Sequence, residues 1–344
     1  MPIDDSQGQT THSEAGTAGG DEVPHLTVAS CAAGSSSLES GFFGCKPVQA
    51  VQPMPQYEQD GGSGSDSSAS PSTQPVISPE AIAAIAYAQD VQRQEREIET
   101  EQKEQPLLSE RKSMGALSAR YEEGSPFHTN ATILMSQYQS VQFVRRDGNC
   151  FYRAIVAGLF DKFQKDRELM SRFRAGVDNW VHRIVAFGYA DFIIDDMREH
   201  VANALDSVMR GEITADEVLI NEPVNNYFTS FLRLMSAVIL RENEDYYMLF
   251  IGDETVGSMK EWVGREIEPT WKEADALGIT ALSRALRMIF GVQHLNQNSS
   301  SAGHSLDLIN GMTEDEQTQA ALEGPTPLIY VLFTPGHYDV LYKA

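Results

Sequence analysis

A polar turn, Asp147-Gly148-Asn149, leads directly into Cys150 and a segment whose apolar residues Phe151, Ile155, Leu159 and Phe163 recur at near-helical spacing. Far along the chain, Pro327 to Phe333 reads as a buried strand. Thr334-Pro335-Gly336 reads as a turn, and His337 to Tyr342 as the returning strand of a hairpin. These two segments restrict the fold most. A helix this apolar must be buried, and a central sheet with the helix packed on it would bring Cys150 to His337.

Side chains two apart on a strand share a face. His337 and Asp339 therefore point the same way, with Leu341 after them, while Tyr338, Val340 and Tyr342 face the other way and can pack. A thiolate attacks where a neutral thiol does not, and its pKa falls at a helix N-terminus and beside an imidazolium. The backbone N–H groups of residues 147–150 can form an oxyanion hole, with Gly148 allowing a positive φ. A carboxylate beside an imidazole fixes its tautomer. A second reading stays open on residue types alone: Cys150 as a small buried hydrophobe, and His337-X-Asp339 as a surface strand.

The net charge of -23 is uneven. The first 75 residues hold nine acids and one base, Lys46, among Gly, Ser, Gln and Pro. Such a segment buries too little apolar surface to offset its ordering entropy, so residues 1–77 are expected to be a disordered arm. The remainder is still acidic, which argues against nucleic acid or an anionic membrane and fits a basic protein partner. Of three cysteines, Cys31 and Cys45 fall in the arm and Cys150 stands alone beyond it. No disulfide framework or metal spacing is expected, and no signal peptide or membrane-length apolar run is visible. The expected location is cytoplasmic, also nuclear, where a reducing milieu keeps Cys150 a thiol.

Order is expected from Ser78-Pro79-Glu80, an N-cap, N1 proline and first-turn acid, with a helix to Gln105 ahead of Pro106. Its stripe of Ala84, Ala88, Val91 and Ile98 is thin. It reads either as a solvated surface helix or as one completed by a partner. Leu107 to Tyr121 reads as a second helical piece and Ser140 to Arg146 as a short strand. Residues 167–265 read as a helical lobe with stripes at Phe173, Val177, Trp180, Val181 and Ile184, and at Tyr227, Phe231, Leu234, Met235 and Val238. His182 and His200 lack metal-ligand spacing. Trp271 to Phe290 is expected to be helical, Gly291 to Leu295 a strand, and Asn296 to Gly324 a loop.

Several segments resemble the otubain family, within the ovarian-tumour class of cysteine proteases. They are Asp147 to Ala154, Gln105 to Arg111, Tyr227 to Met235, Glu266 to Asp275 and Pro335 to Tyr342, in matching order and spacing. The resemblance implies an α+β, papain-like fold: a small central β-sheet flanked by helices, with a large helical lobe, over a catalytic domain of residues 78–344. It implies Cys150 as nucleophile, His337 as general base and Asp339 as its orienting acid. Asp147 matches an active-site aspartate and is read as shaping the oxyanion loop of Gly148 and Asn149. It implies cleavage of isopeptide bonds in polyubiquitin, typically through lysine forty-eight of ubiquitin, by a monomer needing no metal or cofactor. The helix of residues 78–105 would contact the proximal ubiquitin and, as in some members, a ubiquitin-conjugating enzyme. A binder that inhibits such an enzyme without catalysis is the alternative, and a papain-like protease of unrelated peptides a third reading. Ala276-Leu277-Gly278 and residues 296–324 depart from the family, and the arm has no counterpart.

Overall fold

The computed structural model describes residue 100 and residues 102–252 and 257–343. The expected arm and most of the expected helix of residues 78–105 lie outside the described residues. Among those described there are six strands. They are β1 (Lys112–Ser113), β2 (Ser140–Gln142), β3 (Ile289–His294), β4 (Leu306–Ile309), β5 (Leu328–Thr334) and β6 (His337–Tyr342). They form one sheet in the order β1-β2-β6-β5-β3-β4, antiparallel except for the β3–β5 pair. The hairpin β5–β6 lies at its centre and turns through Pro335-Gly336, where φ at Gly336 is 73°. That value lies in the left-handed region glycine enters without steric cost.

The sheet separates two cores. On one face, α1 (Gly115–Ser118) and α2 (Pro126–Leu134) place Leu117, Ala131 and Leu134 over Val141, Leu332 and Leu341. On the other lies α3 (Cys150–Lys165), buried nearly all round, with Phe151 and Ile155 in the same cluster as Phe290, Val331 and Val340. The strand alternation at Tyr338 to Tyr342 is what assigns Val340 and Tyr342 to one cluster and Leu341 to the other.

Behind α3 stand α4 (Arg167–Ala186), α5 (Asp191–Arg210), α6 (Ala215–Ile220), α7 (Glu222–Glu242), α8 (Glu244–Tyr247) and α9 (Met259–Glu266). They form the expected lobe, and their stripes at Val177 and Ile184, and at Phe231, Met235 and Val238, are fully buried. Local chemistry sets the boundaries. Asp166 caps α4, Thr214 and Glu217 form a capping box on α6, and Asn221 caps α7 with a proline in its first turn. The architecture is the α+β one expected: a sheet, flanking helices and a helical lobe.

Three expectations are corrected. Leu107 to Ser113 is not helical, and only α1 and the turns around it are. Leu108 bridges Val144, the N–H of Ser109 donates to the carbonyl of Phe143, and the N–H of Arg145 donates to that of Leu107. Consecutive Leu107 and Leu108 are both buried, and both join the cluster around α3. The helix expected from Trp271 is α10 (Ala276–Leu286), because Asp275 caps it and Trp271 sits at φ 71°. Residues 296–324 contain β4 and α11 (Glu314–Glu323). Strand β4 is largely exposed and α11 buries only Ala320, so neither carries an apolar period to read.

Candidate active site

Cys150 is the first residue of α3 and is buried. Asn149 holds the cap position but makes no side-chain cap, because its Oδ1 is already used. It accepts from Arg233 Nη2 at 2.9 Å and Nε at 3.2 Å, and from the N–H of Trp271 at 3.3 Å. One residue earlier, the carbonyl of Gly148 accepts from Arg233 Nη2 at 2.8 Å. Asp147 is fixed from the other side. Its Oδ1 accepts the N–H of Asn149 at 3.0 Å, and its Oδ2 accepts Arg153 Nη2 at 2.9 Å and Nε at 3.1 Å. Arg153 in turn donates to Asn225 Oδ1 at 2.7 Å and Asn226 Oδ1 at 2.9 Å on α7. Both members of the Asp147–Arg153 pair are buried, so each needs the other's charge.

Two details of the loop differ from the sequence reading. Gly148 does not have a positive φ. Its glycine is required by close approach: a Cβ there would lie 1.6 Å from the carbonyl oxygen of Trp271. The oxyanion cradle is also closed. The N–H of Cys150 donates to the carbonyl of Asp147 at 3.0 Å, and that of Asn149 to the Asp147 side chain. Neither is turned toward an incoming carbonyl, so the loop must rearrange before it can stabilise an oxyanion.

The base side is built by strand geometry. His337 and Asp339 are 1% and 2% exposed, with His337 Nε2 3.0 Å from Asp339 Oδ1. The same Oδ1 accepts the N–H of Val144 at 2.8 Å, and Arg120 Nη1 stands 4.0 Å from Oδ2 while its guanidinium covers the ring of Phe143. His337 Nδ1 is buried with no hydrogen-bond partner. The histidine and aspartate are thus paired, whereas no hydrogen bond joins the histidine to the thiol.

Cys150 meets the strand one residue later. The backbone N–H of Tyr338 reaches the sulfur, and the Tyr338 ring lies edge-on to Phe151 with centroids 5.1 Å apart. Burial pushes the thiol up to about 12; the Tyr338 N–H opposes that, and the carboxylates of Asp147 and Glu273 add to it. Glu273 belongs to the 267–275 segment between α9 and α10. This segment covers the loop: Trp271 lies on Gly148, and Glu273 Oε1 would sit 3.4 Å from a Cβ on Gly336. The thiol here is neutral and shielded.

Arg153, Arg233, Asn225, Trp271 and Glu273 were not singled out by sequence reasoning. A signal existed for the arginines. Each is a charge inside an apolar helical run, Cys150 to Val156 and Phe231 to Met235, and such a charge is buried only when it has partners.

A family model described as Peptidase C65 Otubain matches residues 100–343. A Caenorhabditis elegans protein named ubiquitin thioesterase otubain-like is 32% identical over 252 residues, which is 72% of this chain and 84% of that protein. Human ubiquitin thioesterase OTUB1 is 29% identical over 269 residues, covering 77% and 93% respectively. A solved structure of a ceOTUB1, ubiquitin aldehyde and UBC13~Ub complex aligns with a TM-score of 0.66 at 31% identity, over 73% of this chain and 99% of that one. With a family model matching well over half its length, the chain belongs to the otubain family of C65 peptidases.

Proposed function

We propose that the chain is a deubiquitinating cysteine protease that hydrolyses isopeptide bonds in polyubiquitin. Cys150 is the nucleophile, His337 the general base and acid, and Asp339 the residue that orients and stabilises the imidazole. The observation that carries this reading is the pairing of His337 Nε2 with Asp339 Oδ1. It leaves His337 Nδ1 without a partner, while the Cys150 sulfur lies at the next backbone N–H of the same strand. In catalysis His337 takes the thiol proton and the thiolate attacks the carbonyl of the ubiquitin C-terminal residue. The tetrahedral oxyanion collapses to a thioester, and the imidazolium gives its proton to the departing lysine amine. Water, deprotonated by His337, then releases the ubiquitin and restores the thiol. Asp147 shapes the loop and transfers no proton, since both of its oxygens are occupied by Arg153 and the N–H of Asn149. Gly148 and Asn149 line the oxyanion position once the loop opens. The resting geometry needs substrate to displace the 267–275 segment, and apo sites commonly tighten on binding.

The preferred linkage in this proposal is through lysine forty-eight of ubiquitin. A second reading, binding and inhibition of a ubiquitin-conjugating enzyme, is favoured by the neutral buried thiol and by solved relatives that hold UBC13~Ub or UBCH5B~Ub. Incubation with diubiquitins of every linkage decides between them. Selective cleavage supports the protease. Uncleaved chains together with tight binding of a charged conjugating enzyme support the inhibitor.

A further inference from the structure

Arg233 is, with Arg153, one of the two largest side chains that are fully buried. Its guanidinium lies 4.2 Å over the ring of Tyr152, and its acceptors fall into two groups. One is the nucleophile loop, through the carbonyl of Gly148 and Asn149 Oδ1. The other is the covering segment, through the carbonyl of Ile267 at 3.0 Å and that of Lys272 at 2.5 Å. Between those two carbonyls sits Trp271 at φ 71°, a left-handed conformation that costs a non-glycine residue about 1 kcal/mol or more. A planar five-donor fork can hold both groups at once, and a lysine cannot.

We propose that Arg233 is a positioning residue for the reaction, registering the nucleophile loop against the covering segment so that the two rearrange together. The proposal rests on the reading of Cys150 as nucleophile. Turning the N–H groups of Asn149 and Cys150 toward an oxyanion requires the Gly148–Asn149 stretch to shift, and Arg233 holds a carbonyl and a side-chain oxygen of that stretch. The same guanidinium holds the turn that packs on Gly148. Neither element moves far without the other.

The test is Arg233→Lys, which keeps the charge and removes the fork. On a ubiquitin-derived fluorogenic substrate kcat falls about 100-fold, the scale of a misplaced catalytic group, with KM nearly unchanged. Alkylation of Cys150 by iodoacetamide, which needs no ubiquitin, accelerates severalfold because the covering segment is released. Arg174→Gln, which breaks the half-exposed pair with Asp206, is the control for lost stability and leaves both rates alone at the same interval below its Tm. Unchanged kcat and alkylation in Arg233→Lys, or shifts equal to the control's, overturn the proposal. Should Arg233→Lys not fold, native-state hydrogen exchange of the wild-type protein decides. Peptides 145–152 and 266–276 opening with one denaturant dependence support the clamp, and separate openings overturn it. A wild-type protein inert toward every ubiquitin substrate would instead defeat the functional reading, and the alkylation and exchange arms would still report on Arg233.

Discussion

The two halves of the site are held in different ways. The nucleophile loop is fixed by side chains, with Arg153 and Arg233 reaching Asp147, Gly148 and Asn149 while α7 supplies Asn225 and Asn226. The base half is fixed by backbone. His337 pairs with Thr334 and Asp339 with Leu332 in the β5–β6 ladder, and among the described residues Val144, His337 and Arg120 address the carboxylate. A loop clamped by buried charges can adopt a second arrangement if the clamp moves. A central strand cannot shift register without turning its side chains to the wrong face. The geometry assigns adjustability to the nucleophile loop and constancy to His337 and Asp339.

The largest effect expected within that contrast is chemical. Cys150→Ala removes the attacking sulfur, and turnover of diubiquitin should fall to background, a loss of up to about a millionfold by analogy with other nucleophile deletions. Binding of the same chains, measured by calorimetry, should persist.

Stability separates the halves next. Arg153→Met leaves the Asp147 carboxylate buried beside a neutral side chain and should cost about 3–5 kcal/mol in urea unfolding. Asp339→Ala removes an acceptor from the N–H of Val144 and from His337, and should cost about 1–3 kcal/mol while sharply reducing kcat. Equal losses, or the reverse order, would break the comparison.

Alkaline pH sharpens it. Burial holds the Cys150 thiol at about 12 against an ordinary 9.0, so the folded state favours the neutral form. That contribution is complete below about pH 9 and is lost as pH rises toward 12, because the unfolded thiol ionises first. Half-buried Tyr121 and buried Tyr247 are shifted in the same direction by desolvation, so the reading must be a difference. Thermal unfolding of Cys150→Ala should lose less stability between pH 9 and 11 than the wild type. Parallel curves would show that the thiol is not shielded.

The smallest effect belongs to Arg120. Its side chain is 46% exposed and its Nη1 is 4.0 Å from Asp339 Oδ2. Arg120→Gln should change stability by less than about 1 kcal/mol and leave kcat nearly intact, the usual weight of a solvent-screened pair. A large kcat loss would mean that the base half also depends on a side-chain clamp.

This contrast also governs what could be read from sequence. Alternation placed His337, Asp339 and Leu341 together because a strand's period is set by its own backbone. The apolar period after Cys150 placed the cysteine at a helix start for the same reason. The purpose of Gly148 was not legible, because it is set by the backbone of Trp271, distant in sequence. Arg233 was quoted only within a resembling segment, since its acceptors lie on two loops that only tertiary structure joins. Leu107 and Leu108 misled because adjacent apolar residues fit a helix as readily as a non-helical segment packed into one core. Strand β4 and helix α11 expose most of their residues, so burial left no pattern there.

The central claim is that the Cys150 thiol attacks the C-terminal carbonyl of ubiquitin. Treating the full chain with ubiquitin bearing a C-terminal electrophile, and mapping the adduct by mass spectrometry, tests it most directly. One adduct, on Cys150 and lost in Cys150→Ala, is predicted even though the free protein reacts slowly with iodoacetamide. No adduct, or one on Cys31 or Cys45, would contradict it.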